Sequence, residues 1–526
     1  MVVTKTIRAG NPNSVPELPE NVSAPEAAKN LLNLAEQIKA IAEVAAKNGE
    51  SFDRTERVVW DSVLQMGFQA RHLFVSLQGD GDLGSEVATA SGKTLHRSEK
   101  PSSSVIRSIF GEHSFHQYVY SSGKNKPIEL RPISARMSLP AGRWSHCLQE
   151  FSQMFCVDHA FGQSAANLGE VLKSRFSVDT IEKINQQLGK SAGEFLADLP
   201  VPEPDGEAKL LVASADGKGV PLIREDAAKV AAFETAKKNP GNRKMATVAS
   251  VYSVGRHVRT AKEITAALFR DETAPEEEAQ PKRPTPQNKN TTAHFPVTKK
   301  DETGKSVTTS GIHVAMAWII GQIALRRRAN QVLVVLMDGQ ESLWTCFESH
   351  LSFSLRMVGV LDILHTLAYV WEAAGLFCSD EDARKAFTRD RLLRILRGEV
   401  LGVVRGLRQM GTTRKLKGDP LKDLNRICRY LENNACRMRY DEYLRRGYPI
   451  ASGVIEGACR HLVKDRMERS GMRWTLEGAR SMLNLRAAFQ SDHWRSFLDD
   501  HIAKETNKNH SNANMLTNYT PLTIAA

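Results

Sequence analysis

The sequence predicts an α/β layered protein in which helical and small β-rich regions precede a larger α/β core. Three observations carry this reading. Beyond residue 209, short apolar runs alternate with stretches of helical periodicity, the pattern of strands feeding helices across a sheet. Two of those runs, LLVASAD (210–216) and QVLVVLMD (331–338), end in an aspartate followed by glycine. At 526 residues and 41% hydrophobic content, the chain is globular and too long for one ordinary core.

Charge and cysteine content narrow the class. The net charge is +11 and is spread over many segments, which favours a polyanionic partner, nucleic acid before anionic membrane. The first residues, MVVTKTIRAGNPNS, lack the apolar core of a signal peptide,. The most apolar helical stretch, 312–325, contains His and Gln and is too short to span a bilayer,. Seven cysteines are scattered with no CxxC pair, which argues against a disulfide framework or a structural zinc. The expected location is the cytoplasm, on the nucleoid when bound to DNA, with no membrane partner.

In chain order, residues 1–95 read as a helical region, with amphipathic patterns at Leu31, Leu34, Ile38 and Ile41 and at Val59, Val63 and Phe68,. Residues 96–145 read as a small β-rich unit turned at Ser-Ser-Gly-Lys-Asn (121–125),. Residues 146–204 return to helical spacing. A break at 173–176, with Ser177 placed to cap the next helix, is compatible with a DNA-reading helix-turn-helix and equally with a plain helical hairpin,.

Residues 205–371 form the first part of the α/β core. A buried strand from Lys209 delivers Asp216 at its C-terminal end, and 245–254 is a second strand. The Pro-, Asn- and Lys-rich stretch 273–309 reads as a mobile loop,. Helix 312–326 leads to the strand ending at Asp338, and a further short strand ends at Asp362, three residues before His365. Residues 372–448 are helical and very basic, including Arg384, Arg389, Arg397, Arg405, Arg414 and Lys417. Such a run is a solvated face or a phosphate surface. Residues 449–500 complete the core, and 501–526 read as a disordered tail.

The stretch 450–474 joins these parts. Ile455, Ala458, Cys459, Leu462 and Val463 recur at helical spacing, with Glu456 just off that stripe and Arg460 and Lys464 following at i+4 and i+8,. Asp216, Asp338 and Glu456 therefore stand at or near element ends, far apart in the chain. Hard oxygen ligands of this kind suit Mg²⁺. A pair of such ions activates an attacking water or 3′-hydroxyl and stabilises the leaving oxygen of a phosphodiester. No nucleophile elbow or Walker loop is present,.

Five motifs carry a resemblance: SADGKGVPL (214–222), KMATVASVYSV (244–254), VVLMDGQESLW (334–344), LDILHTLAYVW (361–371) and the stretch 448–474. In this order they resemble DDE transposases of bacterial insertion sequences, of the ISKra-type group related to Mutator-like transposases. The resemblance covers roughly 205–495. It implies a ribonuclease-H-like fold interrupted by a helical insertion, and Mg²⁺, which Mn²⁺ can replace, held by Asp216, Asp338 and Glu456. It also implies double-stranded DNA (terminal inverted repeats and target) as substrate for cleavage and strand transfer, and a homo-oligomer working on paired ends. Asp362 and His365 match a motif that follows the fifth strand in Mutator-like relatives and positions DNA or the site. Arg460 and Lys464 are candidate phosphate contacts. A nuclease or resolvase of the same fold, or a non-catalytic DNA-binding protein, remains the alternative.

Overall fold

The computed structural model describes residues 23–231, 241–270, 282–350, 356–469 and 471–523. Contacts divide the chain into two units, Met1–Glu182 with Leu498–Ala526, and Lys183–Phe497.

The second unit is built on a five-stranded mixed sheet. Its strands are β1 (Leu210–Pro221), β2 (Arg243–Val254), β3 (Gln287–His294), β4 (Val332–Met337) and β5 (Met357–Leu361), in the order β5-β4-β1-β2-β3. β1, β4 and β5 run parallel, while β2 and β3 are antiparallel to their neighbours. Successive strand residues point to opposite faces, and here both faces are covered, as a sheet with parallel central strands requires. One face sends Leu211, Ala213, Val251, Leu333 and Val335 into helices Gly311–Arg326 and Glu341–Ser349. The other sends Leu210, Val212, Val334, Leu336 and Val360 against helix Ile363–Phe377 and the helices that follow it. Each fully buried Val or Leu stabilises by roughly 1.5–3 kcal/mol.

Four sequence expectations are revised. β1 does not stop at Asp216; it pairs with β2 through Pro221 opposite Arg243. Gly217 and Gly219 are extended strand residues, and added Cβ atoms would come within 2.7 Å of the Met245 and Arg243 side chains. Those glycines make room for neighbours instead of turning the chain. Second, 273–309 is not one loop. Residues 271–281 lie outside the described residues, but β3 occupies Gln287–His294, and Val297–Lys300 pairs with Ser306–Thr309 as a hairpin. β3 is polar yet buried at Asn290, Thr291 and Thr292. Distant partners satisfy it: Asn290 donates to Gln322 Oε1 (3.0 Å) and the Thr291 amide donates to Ser491 Oγ (3.0 Å). Hydrophobic patterning has no view of such partners.

Third, the boundary at 371/372 falls inside helix Ile363–Phe377, and the basic helices Glu381–Leu396, Val400–Thr413 and Gly418–Asn433 share one apolar core with the sheet. Of the basic residues there, Arg391, Arg394 and Arg408 pair with Asp390, Glu399 and Glu432. Arg397, Arg405, Arg414 and Lys417 are exposed, with no carboxylate partner among the described residues.

Fourth, the tail is folded. In the first unit, helices Ala24–Asn48 and Phe52–Ser76 are joined through Gly49, whose φ of 64° suits glycine,. They precede a β-rich part that begins at Glu86, not 96, with the hairpin Ser102–Ser108/Gly111–Gln117 turning at Ile109 and Phe110. The Ser-Ser-Gly-Lys-Asn turn links the next pair, Tyr120–Ser121 and Ile128–Leu130. Against this part lie residues 513–519. Leu516 is buried with Leu95, Tyr120 and Leu130, and Tyr519 donates its hydroxyl to the Gln78 carbonyl at 2.6 Å. A few well-placed apolar groups order a segment whose average composition is polar. Helices Phe161–Leu172 and Val178–Ala197 flank the break at 173–177. No described helix is long and apolar enough to cross a membrane.

Candidate active site

The parallel strands bring three aspartates together. Val335 pairs with Ala213, the last pair of that ladder; Asp338 and Asp216 each lie three residues beyond it, near enough for the charge of Asp216 to act on Asp338. Met337 pairs with Leu361, so Asp362 follows beside Asp338, and its amide donates to the Met337 carbonyl at 3.0 Å. Neighbouring strands lie about 4.8 Å apart, which brings carboxylates at the strand ends within strong mutual influence. Burial pushes the Asp338 carboxyl above the ordinary range, and the charges of Asp216 and Asp362 push it further; the Gln340 amide, donating at 3.0 Å, opposes them.

Asp362 is fully buried and caps helix Ile363–Phe377. Its Oδ1 accepts from the Leu364 and Ser452 amides, each at 3.1 Å, and its Oδ2 accepts from Ser452 Oγ (2.7 Å) and His365 Nδ1 (2.8 Å). Burial alone would raise its pKa, but these donors together hold it below the usual carboxylate range. In return, the Asp362 bond raises His365 to about 8, against the effect of its burial and with help from the Asp338 and Asp216 charges. His365 is thus a cation at neutral pH beside three acids.

Glu456 is exposed on the short helix Gly453–Ala458 and lies 3.2 Å from the same Ser452 hydroxyl. A hydroxyl carries one proton, and the shorter contact gives that proton to Asp362. The ligating atoms of Asp362, His365 and Glu456 all lie within 4.8 Å of one another. This is the tightest acidic set at the site; Asp216 and Asp338 stand beside it. Asp216 reaches the Glu456 segment through Cys459, whose thiol donates to Asp216 Oδ2 at 3.4 Å. Burial, Asp216 and Glu456 all push that thiol's pKa up, so it stays protonated.

Beyond Cys459 the helix is not regular. Cys459–Lys464 forms a π-helical turn, a rare geometry found most often at functional sites. The change from i→i+5 back to i→i+4 bonding leaves carbonyls to be met by other donors. The buried Arg486 donates to the carbonyls of Leu462 (2.8 Å) and His461. The wider turn shifts Arg460 and Lys464 from the edge a regular helix would give them. Arg460 lies 3.7 Å from Asp465 instead of pairing with Glu456, and Lys464 is exposed. Trp474 is buried, stacked under Arg466 and donating to the Met467 carbonyl, a packing role.

Ser452, Cys459 and Tyr430 escaped sequence reasoning. Ser452 had a signal as the residue before a helix, and Cys459 as the i+3 neighbour of Glu456. Tyr430 had none, because it comes from the basic helices. A Cβ on Gly339 would stand 2.2 Å from its ring, which is itself stacked on Tyr369 at 3.8 Å. Gly339→Ala is therefore expected to lower the stability of the purified protein by about 1–3 kcal/mol in urea denaturation, as overpacking does. An unchanged midpoint would show that Tyr430 moves aside freely.

No model of a known protein family matches this sequence, and no curated protein matches it.

Proposed function

We propose that this chain is a DDE-type DNA transposase that binds the terminal inverted repeats of an insertion sequence, cleaves there and joins the ends to target DNA. One observation carries the reading: Asp338 and Asp362 stand just past the ends of β4 and β5, the charge of Asp216 on β1 reaches Asp338, and Glu456 lies beside Asp362. The resemblance assigns its first acid to the first strand of a ribonuclease-H-like core and its Asp-x-x-His motif to the end of the fifth. Asp216 on β1, and Asp362 directly after β5 with His365 three residues on, agree with that assignment. The sheet's two parallel and two antiparallel pairings, with β1 between a parallel and an antiparallel neighbour, are consistent with such a core.

The donor set fits Mg²⁺. It offers carboxylate oxygens, which hard cations prefer, and the upward push on Asp338 from its neighbouring carboxylates is a repulsion that a bound cation relieves. Held by Asp216, Asp338 and Glu456, Mg²⁺ or Mn²⁺ would activate water or a 3′-hydroxyl and stabilise the leaving oxygen. The chain's own residues prepare that site. Asp362 fixes Ser452 and with it the start of the Glu456 helix. His365, charged at neutral pH, has its Nδ1 committed to Asp362 and its side chain 41% exposed, so its other N–H can donate to a phosphate oxygen. Arg397, Arg405, Arg414, Lys417 and Lys464 supply exposed positive charge for the DNA backbone,. The helices Phe161–Leu172 and Val178–Ala197, with the β-rich part before them, are the proposed reader of the repeats. Action as a homo-oligomer on paired ends and a cytoplasmic location belong to the same proposal.

The test uses purified protein, Mg²⁺ or Mn²⁺, and supercoiled DNA carrying the inverted repeats that flank its own gene. Cleavage at the repeat tips and joining of the 3′-ends to target, both lost in Asp216→Asn and Glu456→Gln, are expected. Variants that cut like wild type would overturn the acid assignment. Cutting without joining would instead favour a nuclease or resolvase, and binding without cutting a non-catalytic DNA-binding protein.

A further inference from the structure

A second cluster of potential ligands lies in the first unit. His146 opens helix His146–Cys156, and His501 and Glu505 share one face of helix Trp494–Asn509 at i,i+4 spacing,. The ligating atoms of all three lie within 4.8 Å of one another. Glu505 Oε2 is 3.4 Å from His501 Nε2 and 3.8 Å from His146 Nδ1. Zinc bonds imidazole nitrogen and carboxylate oxygen at about 2.0–2.2 Å. Donors around a tetrahedral zinc therefore stand roughly 3.3–3.6 Å apart, close to the two separations from Glu505 Oε2.

We propose that His146, His501 and Glu505 form a zinc site that fastens the returning C-terminal segment to the N-terminal unit, with a fourth position left for water or an exogenous ligand. The surroundings are organised as a metal site needs. Glu505 Oε1 is occupied by the Ala141 amide (3.1 Å) and Asn509 Nδ2 (3.3 Å), which leaves Oε2 to face the histidines. Such outer contacts fix ligand orientation. His510 Nε2 contacts the Leu139 carbonyl at 2.8 Å and holds the same loop in place. The three side chains keep 17%, 13% and 21% of their exposure, so an ion has a way in.

The preference for zinc over Mg²⁺ follows from the two imidazoles, since Mg²⁺ favours all-oxygen sites. Chain topology gives the site a structural role: its ligands stand at 146 and at 501 and 505 in the sequence, and closing so long a loop restricts the unfolded chain.

The test takes full-length protein stripped with a chelator and titrates it with Zn²⁺ against a chromophoric competitor, with thermal unfolding followed in parallel. Wild type is expected to bind one ion that Glu505→Gln, His146→Gln and His501→Gln each lose, and zinc is expected to raise the wild-type Tm only. Asp216→Asn, which alters the acidic site alone, is expected to keep that ion, so this result stands whether or not the chain cuts DNA. Circular dichroism establishes that at least one of the histidine or glutamate variants is folded. Wild type that binds no zinc, or folded variants that bind it as wild type does, would overturn the proposal and leave a plain histidine–carboxylate network.

Discussion

Asp338→Asn is expected to reduce Mg²⁺-dependent DNA cleavage by roughly a thousand-fold or more while making the metal-free protein more stable. The first effect follows from losing a charged ligand: metal stabilisation of the reacting oxygens is worth several kcal/mol, and each 1.36 kcal/mol is tenfold in rate. The second follows from the carboxyl's environment. Its pKa is raised in the fold by burial and by the charges of Asp216 and Asp362. An acid whose folded pKa lies above its unfolded value opposes folding once the pH exceeds that unfolded value. The penalty grows through the window up to the raised pKa and is absent below the ordinary carboxylate range, where both states are protonated. Asn keeps an oxygen for the Gln340 amide and removes the charge. Urea denaturation without metal, near neutral pH and in mild acid, should show a stabilisation that fades in acid. A variant that is less stable than wild type at neutral pH would mean that Asp338 is not held under repulsion.

Asp362→Asn is expected to do the opposite, lowering stability by about 3–5 kcal/mol, the range for breaking a buried charged network by removing one partner. The carboxylate accepts from four donors with two oxygens. An amide would turn an NH₂ group toward His365 and Ser452, donor against donor. Ser452 would lose its anchor and the Glu456 helix its fixed start, so cleavage falls together with stability. The pH dependence has a definite sign. His365 rises from 6.5 to about 8 in the fold, so its contribution is complete below the unfolded value and is lost as pH rises through about 8. Asp362 is lowered, so its contribution is present above the ordinary carboxylate range and is lost as pH falls through the depressed value. The gap between wild type and Asp362→Asn should therefore be widest near pH 6 and narrower near pH 9. A gap that is constant across that range would remove the Asp362–His365 pair from the account.

Much of the sheet was legible because its strands are short apolar runs with regular periods. The strand ending at Met337 and the helix Gly311–Arg326 lie where the sequence puts them. β3 was not legible, since Asn290, Thr291 and Thr292 are buried against side chains brought from Gln322 and Ser491. Gly217 and Gly219 illustrate a related limit: glycine serves a turn and a close approach equally well, and only the neighbours decide which. At the candidate site, Asp216, Asp338, Asp362, His365 and Glu456 were all named from sequence, but their grouping was not. Among the described residues Asp362, His365 and Glu456 form a close set, tied together through Ser452, to which the motifs assign no role.

What the sequence determined by itself is local: where strands and helices run, which acids end them, and the excess of positive charge. Those follow from side-chain period, chain stiffness and residue chemistry, all properties of neighbours along the chain. Only the tertiary structure decided the rest. Parallel register brought three aspartates together, a π-helical turn moved Arg460 toward Asp465, Tyr430 closed over Gly339, and the polar tail gained a core. Each of these depends on groups distant in sequence meeting at a fixed distance, and a linear pattern carries no information about such distances.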